Sequence, residues 1–126
     1  MIKKLTFLFI LLSGIMGAQN IKNVDATAFK KLIDDKKGEL IDLRTKPEIE
    51  SKGKIKGATE IDFLAKDIDA QIAKLDKNKT YLIYCAGGGR SGDCALMMQK
   101  MGFKEVYNLE KGYGDWKNKG FEIEKK

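Results

Sequence analysis

Apolar positions change period several times along the chain, and each change predicts a new element. Ile21-Lys22-Asn23 alternates and reads as a short strand. Asp25 then stands as a cap before a helix that carries Phe29, Leu32 and Ile33 on one face. Glu39-Leu40-Ile41-Asp42-Leu43 predicts a second strand, and Thr45 with Pro47 opens a short helix. Gly57-Ala58-Thr59-Glu60-Ile61 predicts another short strand. Leu64, Ile68, Ile72 and Leu75 follow at near-helical spacing and predict a helix. Residues 80–84 form a mostly apolar run, the expected central strand, and residues 91–101 the helix after it. Gly102 stops that helix, residues 106–108 return as a strand, and a last short helix holds Trp116 before Gly120 and the Phe121-Glu122-Ile123 tail.

Strands alternating with helices predict an α/β fold with a mostly parallel sheet covered by helices on both faces. Sites on such sheets lie beyond the carboxyl ends of strands. Cys85 follows the predicted central strand directly, so the active-site loop is expected at its C-terminal end.

The start of the chain is set apart from this pattern. Lys3 and Lys4 precede an apolar stretch from Leu5 to about Met16, followed by Gly17-Ala18-Gln19. A basic start, a short apolar core and a small residue before the cut predict a secretory signal peptide over residues 1–18. The stretch is short for a membrane span, which needs about 20 apolar residues. Residues 19–126 are then one domain, expected in the periplasm or secreted, with no stable membrane association after cleavage.

Residues 1–18 hold two lysines and no acid, so their removal lowers the net charge from +6 to +4. The remaining lysines are scattered rather than gathered into a stripe with aromatics, which argues against nucleic acid as a partner. The positive balance favours small anionic substrates. The 126 residues contain two cysteines, Cys85 and Cys94, and no histidine. That removes Ser-His-Asp and Cys-His pairs and Cys/His zinc clusters, and no metal or cofactor is expected.

The stretch Cys85-Ala86-Gly87-Gly88-Gly89-Arg90-Ser91 carries the chemistry. A helix N-terminus after Cys85 favours thiolate over thiol. Arg90 is placed to fold back and add a full positive charge. Gly87, Gly88 and Gly89 allow positive φ, so that successive amides from Ala86 to Arg90 form a cup for sulfur or an oxyanion. Ser91 either caps the helix or donates to the thiolate.

This loop, after an apolar strand, resembles the active-site loop of single-domain rhodaneses, the thiosulfate sulfurtransferases. The likeness extends further. Leu40-Ile41-Asp42-Leu43-Arg44 followed by Pro47-Glu48 is similar to the family's Asp-x-Arg strand and the short helix after it. Gly53-Lys54-Ile55-Lys56-Gly57-Ala58 resembles its Gly-His-Ile-x-Gly-Ala segment, with Lys54 where histidine is usual and Lys56 where proline is frequent. Gly102-Phe103, Val106-Tyr107-Asn108-Leu109 and Gly112 to Trp116 are similar to its C-terminal signature. The resemblance implies a rhodanese-like fold and sulfur transfer through a Cys85 persulfide. It implies further that a small anionic donor such as thiosulfate is bound at Ala86, Gly87, Gly88, Gly89, Arg90 and Ser91, with cyanide or a thiol, free or on a protein, as the expected acceptor. Asp42 and Arg44 are read as a structural charged pair bracing the loop region.

Three other readings stand beside this one. Cys-based phosphatases and arsenate reductases use a loop one residue longer than the four residues that Cys85 and Arg90 enclose. Cys94 could resolve an oxidised Cys85 as a disulfide, giving a thiol-redox protein. Finally, the domain could act as a sulfur carrier without turnover of its own.

Overall fold

A computed structural model describes residues 20–125; the segment read as a signal peptide lies outside these residues. Seven strands and five helices follow one another as β1 Ile21–Val24, α1 Ala26–Asp34, β2 Glu39–Asp42, α2 Lys46–Lys52, β3 Lys54–Ile55, β4 Thr59–Glu60, α3 Ile68–Ala73, β5 Thr80–Tyr84, α4 Gly89–Lys100, β6 Glu105–Leu109, α5 Gly112–Asn118 and β7 Ile123–Glu124. The main sheet has five strands in the order β1-β6-β5-β2-β4, and each neighbouring pair is parallel. β3 and β7 form a separate antiparallel pair.

β5 is the middle strand. Its last four residues are buried, as expected of a strand flanked on both edges and covered on both faces. Alternation divides its side chains between the two faces. Tyr81 and Ile83, with Cys85 beyond them, join Cys94, Ala95 and Met98 of α4 in one core. Leu82 and Tyr84 join Phe29 of α1 and Tyr113 and Trp116 of α5 in the other. The apolar face of α4 is therefore core, with Cys94 and Met98 buried and Met97 and Met101 packed against its edge. From β2 the chain moves outward to β4, whereas from β5 it moves the opposite way to β6. The two directions part at the seam between β2 and β5, where open α/β sheets leave a crevice for ligands. Arg44 and Cys85 stand just past the carboxyl ends of these two strands.

The structure changes two predicted elements and adds a pair of short strands. Leu64 is not part of a helical stripe; it is 64% exposed. The Asp62 carboxylate accepts from the Leu64 N–H at 2.8 Å, and turns bonded from Ala65 to Asp62 and from Ile68 to Ala65 delay the helix. A short acidic side chain that bonds its own neighbouring backbone competes with helix formation in this way. The strand predicted over 57–61 shrinks to β4, which pairs with β2 only through Thr59 and Glu60. Lys54-Ile55, part of the motif over residues 53–58 with no strand pattern of its own, pairs with the tail at Ile123 and Glu124. Lys54, in the place of the usual histidine, donates to the Ala58 carbonyl at 2.8 Å and to Glu60 at 2.9 Å.

Asp42, Arg44 and Tyr84 tie the two halves of the seam together. Arg44 donates from Nε to Asp42 Oδ1 at 3.0 Å and from Nη2 to Asp42 Oδ2 at 2.7 Å. Its Nη2 also reaches the Gly53 carbonyl at 2.7 Å. Tyr84 donates to Asp42 Oδ2 at 2.6 Å and accepts from the Ile55 N–H at 3.0 Å. Burial opposes the Arg44 charge, but the hydrogen bonds and the charge of Asp42 outweigh it and raise the Arg44 pKa. The structural pair read from the sequence is fully buried. Replacing Arg44 with Met should cost about 3–5 kcal/mol, because it strands a buried carboxylate. Urea unfolding of the variant measures this; a loss below about 1 kcal/mol would show that Asp42 does not depend on its partner.

Candidate active site

Cys85 sits at the head of β5 with 1% of its surface exposed. Its Sγ accepts from the Gly88 N–H at 3.1 Å and the Ser91 N–H at 3.4 Å, and the Ser91 hydroxyl lies 3.4 Å away. Burial pushes the thiol pKa up, while the Ser91 hydroxyl and the Ser91, Gly88 and Gly87 amides push it down. The donors prevail, and the Cys85 thiol is held below its ordinary value. Charge on sulfur is thus favoured although the atom is buried.

Backbone geometry explains why the donors converge. Gly88 is the cap of α4 and has φ +105°, a conformation that L side chains rarely adopt. A Cβ there would also collide with the Glu110 carbonyl oxygen. Gly87 and Gly89, expected to share the positive φ, do not, and open space lies where their side chains would be. They leave the rim of the loop bare, whereas Gly88 shapes its floor. On the far side the Cys85 carbonyl accepts from the Tyr113 N–H at 2.9 Å and the Ala86 carbonyl from the Gly114 N–H at 3.2 Å. Gly112 permits this approach, since a Cβ there would collide with the Ala86 carbonyl and the Gly87 nitrogen. The start of α5 therefore clamps the start of the loop. In the sequence, only the glycine at 112 marks this contact.

Two expectations about side chains change. Ser91 does not cap α4; that position belongs to Gly88. The Ser91 hydroxyl lies in the first turns of the helix, 3.3 Å from the Gly88 carbonyl and 3.4 Å from the sulfur, so its single proton has two acceptors within reach. Arg90 is not among the hydrogen-bond donors to the sulfur. Its Nη1 and Nη2 donate to the two oxygens of Glu48, each at 2.8 Å. Glu48 also accepts from the Thr45 N–H at 2.9 Å and the Thr45 hydroxyl at 2.8 Å. Arg90, together with these bonds, holds the Glu48 carboxyl far below the usual carboxylate range. Glu48 thus joins the site as an unforeseen member. Its place three residues after Thr45 signals a capping box, which the structure contains, but nothing local in sequence points from Glu48 to Arg90.

Cys94 is a free thiol, as is Cys85. Burial, then the charge of nearby Cys85, pushes its pKa up to about 12, so it is a poor nucleophile. Among the described residues no group of His, Cys, Asp and Glu is placed to hold a metal ion, and no helix is long and apolar enough to cross a membrane.

Residues 25–119 match the family model of the rhodanese-like domain. The chain belongs to that family. A sulfurtransferase of Allochromatium vinosum is 30% identical over 105 residues, covering 82% of this chain and 94% of the relative. A tRNA uridine(34) hydroxylase of Pelagibacter ubique is 32% identical over 100 residues and 77% of this chain, of which this rhodanese-like domain spans only 33%. In fold, the crystal structure of a rhodanese-related protein from Thermoplasma volcanium superposes with a TM-score of 0.72 at 22% identity, covering 83% of this chain and 99% of that one.

Only the thiolate of a cysteine alkylates readily, so the reaction rate rises with pH through the thiol pKa. Replacing Ser91 with Ala removes one donor to sulfur and should move the midpoint of iodoacetamide alkylation at Cys85 up by about one pH unit. An unmoved midpoint would show that the hydroxyl bonds Gly88 in place of sulfur.

Proposed function

We propose that this rhodanese-like domain is a sulfurtransferase that moves a sulfane sulfur from a donor such as thiosulfate to cyanide or a thiol. The observation that carries this reading is the ring of donors on the buried Cys85 sulfur. It favours an ionised nucleophile without a histidine base. In the first step the Cys85 thiolate attacks the outer sulfur of thiosulfate. The S–S bond of the donor breaks and its electron pair leaves with sulfite. The Cys85 persulfide then faces the same amides. In the second step the acceptor attacks the outer sulfur, and the electron pair returns to Cys85 Sγ as thiolate.

The paired Glu48 reduces what Arg90 offers an incoming anion. In this mechanism Arg90 contributes through the field at the rim; its hydrogen bonds to Glu48, and after them the charges of Glu48 and Cys85, outweigh burial and raise its pKa. The buried, raised thiol of Cys94 disfavours a disulfide cycle. The four residues between Cys85 and Arg90 disfavour the phosphatase and arsenate reductase readings. The basic, apolar start of the chain supports export, with action in the periplasm or outside the cell. Protein recovered after expression of the full chain then begins at Gln19; an intact Met1 would contradict export.

Thiocyanate formation from thiosulfate and cyanide tests the reaction. The native domain should turn over, Cys94→Ser should retain activity, and Cys85→Ser should lose it entirely. Turnover in Cys85→Ser would place the chemistry elsewhere.

A further inference from the structure

A cavity of about 350 Å³ opens beside the loop, at the seam between β2 and β5. Arg44, Glu48, Lys52, Ala86, Tyr113 and Lys117 are among its lining residues. It shares two walls with the active-site loop: Ala86 is the residue after the nucleophile, and Glu48 holds Arg90. Its electrostatic balance is positive. Glu48 is already committed to Arg90 and Thr45, and the ammonium groups of Lys52 and Lys117 form no ion pair with a described residue.

Arg44 supplies the fixed element. Only 1% of the residue is exposed, and its Nε and Nη2 make all its side-chain hydrogen bonds. Nη1 has no protein partner. Nor is it sealed off, since Asn108 Oδ1 is the one fully buried, unpartnered side-chain polar atom among the described residues. Nη1 therefore keeps contact with solvent, and the cavity is the space that Arg44 lines. The Tyr113 ring, 4.0 Å from the guanidinium carbon, fixes its orientation and gives the cavity an aromatic wall.

We propose that this cavity binds the carboxylate of a low-molecular-weight thiol that exchanges sulfur with Cys85. The inference rests on the sulfur-transfer reading and names its thiol substrate class. A planar donor from Arg44 with a mobile ammonium from Lys52 or Lys117 suits the two oxygens of a carboxylate. The volume exceeds what a small inorganic anion fills, and its shared walls with the loop let a ligand anchored there extend a thiol over the bare glycine rim. With the carboxylate held, the thiolate forms an S–S bond to the outer sulfur of the Cys85 persulfide. The bond between the two sulfurs on Cys85 breaks, and the electron pair returns to Sγ. The product is the persulfide of the thiol, with no net oxidation. The reverse reaction loads Cys85 from such a persulfide.

Glutathione and its diethyl ester carry the same thiol with free and masked carboxylates. Mass analysis first establishes that Cys85 is loaded with sulfur. The loaded native domain should then react with glutathione about five-fold faster than with the ester, in kcat/KM, as expected for one partly exposed ion pair. In the Lys52→Gln, Lys117→Gln double variant that ratio should fall toward one. Equal rates for both thiols in the native domain, or an undiminished ratio in the double variant, would overturn the inference while leaving sulfur transfer intact. Calorimetric titration with S-methylglutathione, which has no free thiol, reads the cavity without the chemistry. Salt-sensitive binding that weakens in the double variant supports the subsite even if Cys85 never loads; no binding to the native domain counts against it.

Discussion

A sulfur atom whose charged form is favoured is buried at the end of the central strand, and most of the local architecture answers that conflict. Burial alone raises the Cys85 pKa, because a low-dielectric site penalises the thiolate. Amides and a hydroxyl reverse the sign. They can reach the sulfur only if the chain turns sharply at Gly88, where φ is +105°, and if helix α4 starts at once behind it. Clamping of the loop by the first residues of α5 follows from the same need, since donors spread over a mobile loop would lose their aim.

The second requirement is a fixed crevice, which the buried knot of Asp42, Arg44 and Tyr84 supplies. It joins the end of β2 to the end of β5 and reaches β3 through the Ile55 N–H. Buried ion pairs are costly to desolvate and survive where hydrogen bonds satisfy both partners. Here Asp42 accepts from Arg44 and Tyr84 at once, which leaves one guanidinium nitrogen facing the crevice. The neighbouring Arg90–Glu48 pair has the opposite consequence. A cation read from sequence as a free charge beside sulfur is bound by a carboxylate contributed by a helix more than forty residues upstream. The field that an incoming donor meets therefore comes from loop amides and crevice cations together.

Much of this was legible in the sequence. The alternating strand and helix periods gave the sheet, and the buried run of β5 placed Cys85 at its tip. Asp42 with Arg44 announced a structural charged pair, which the structure buries completely. What escaped the sequence was long-range or depended on competition. Leu64 fitted a helical stripe, but the Asp62 side chain offered its backbone another partner. Ser91 looked like a cap, but the glycine three residues earlier reached that position first. Arg90 could not be matched to Glu48, because their contact spans two separate elements. The three glycines looked equivalent, yet only Gly88 takes the left-handed conformation.

On this reading the donors around Cys85 make it a sulfur-carrying nucleophile. Intact-mass analysis of the purified domain after thiosulfate, followed by cyanide, tests this most directly. The expected result is a gain of one sulfur atom, mapped to Cys85 and removed by cyanide. A loss of two hydrogens through a Cys85–Cys94 disulfide, with no sulfur gained, would contradict it.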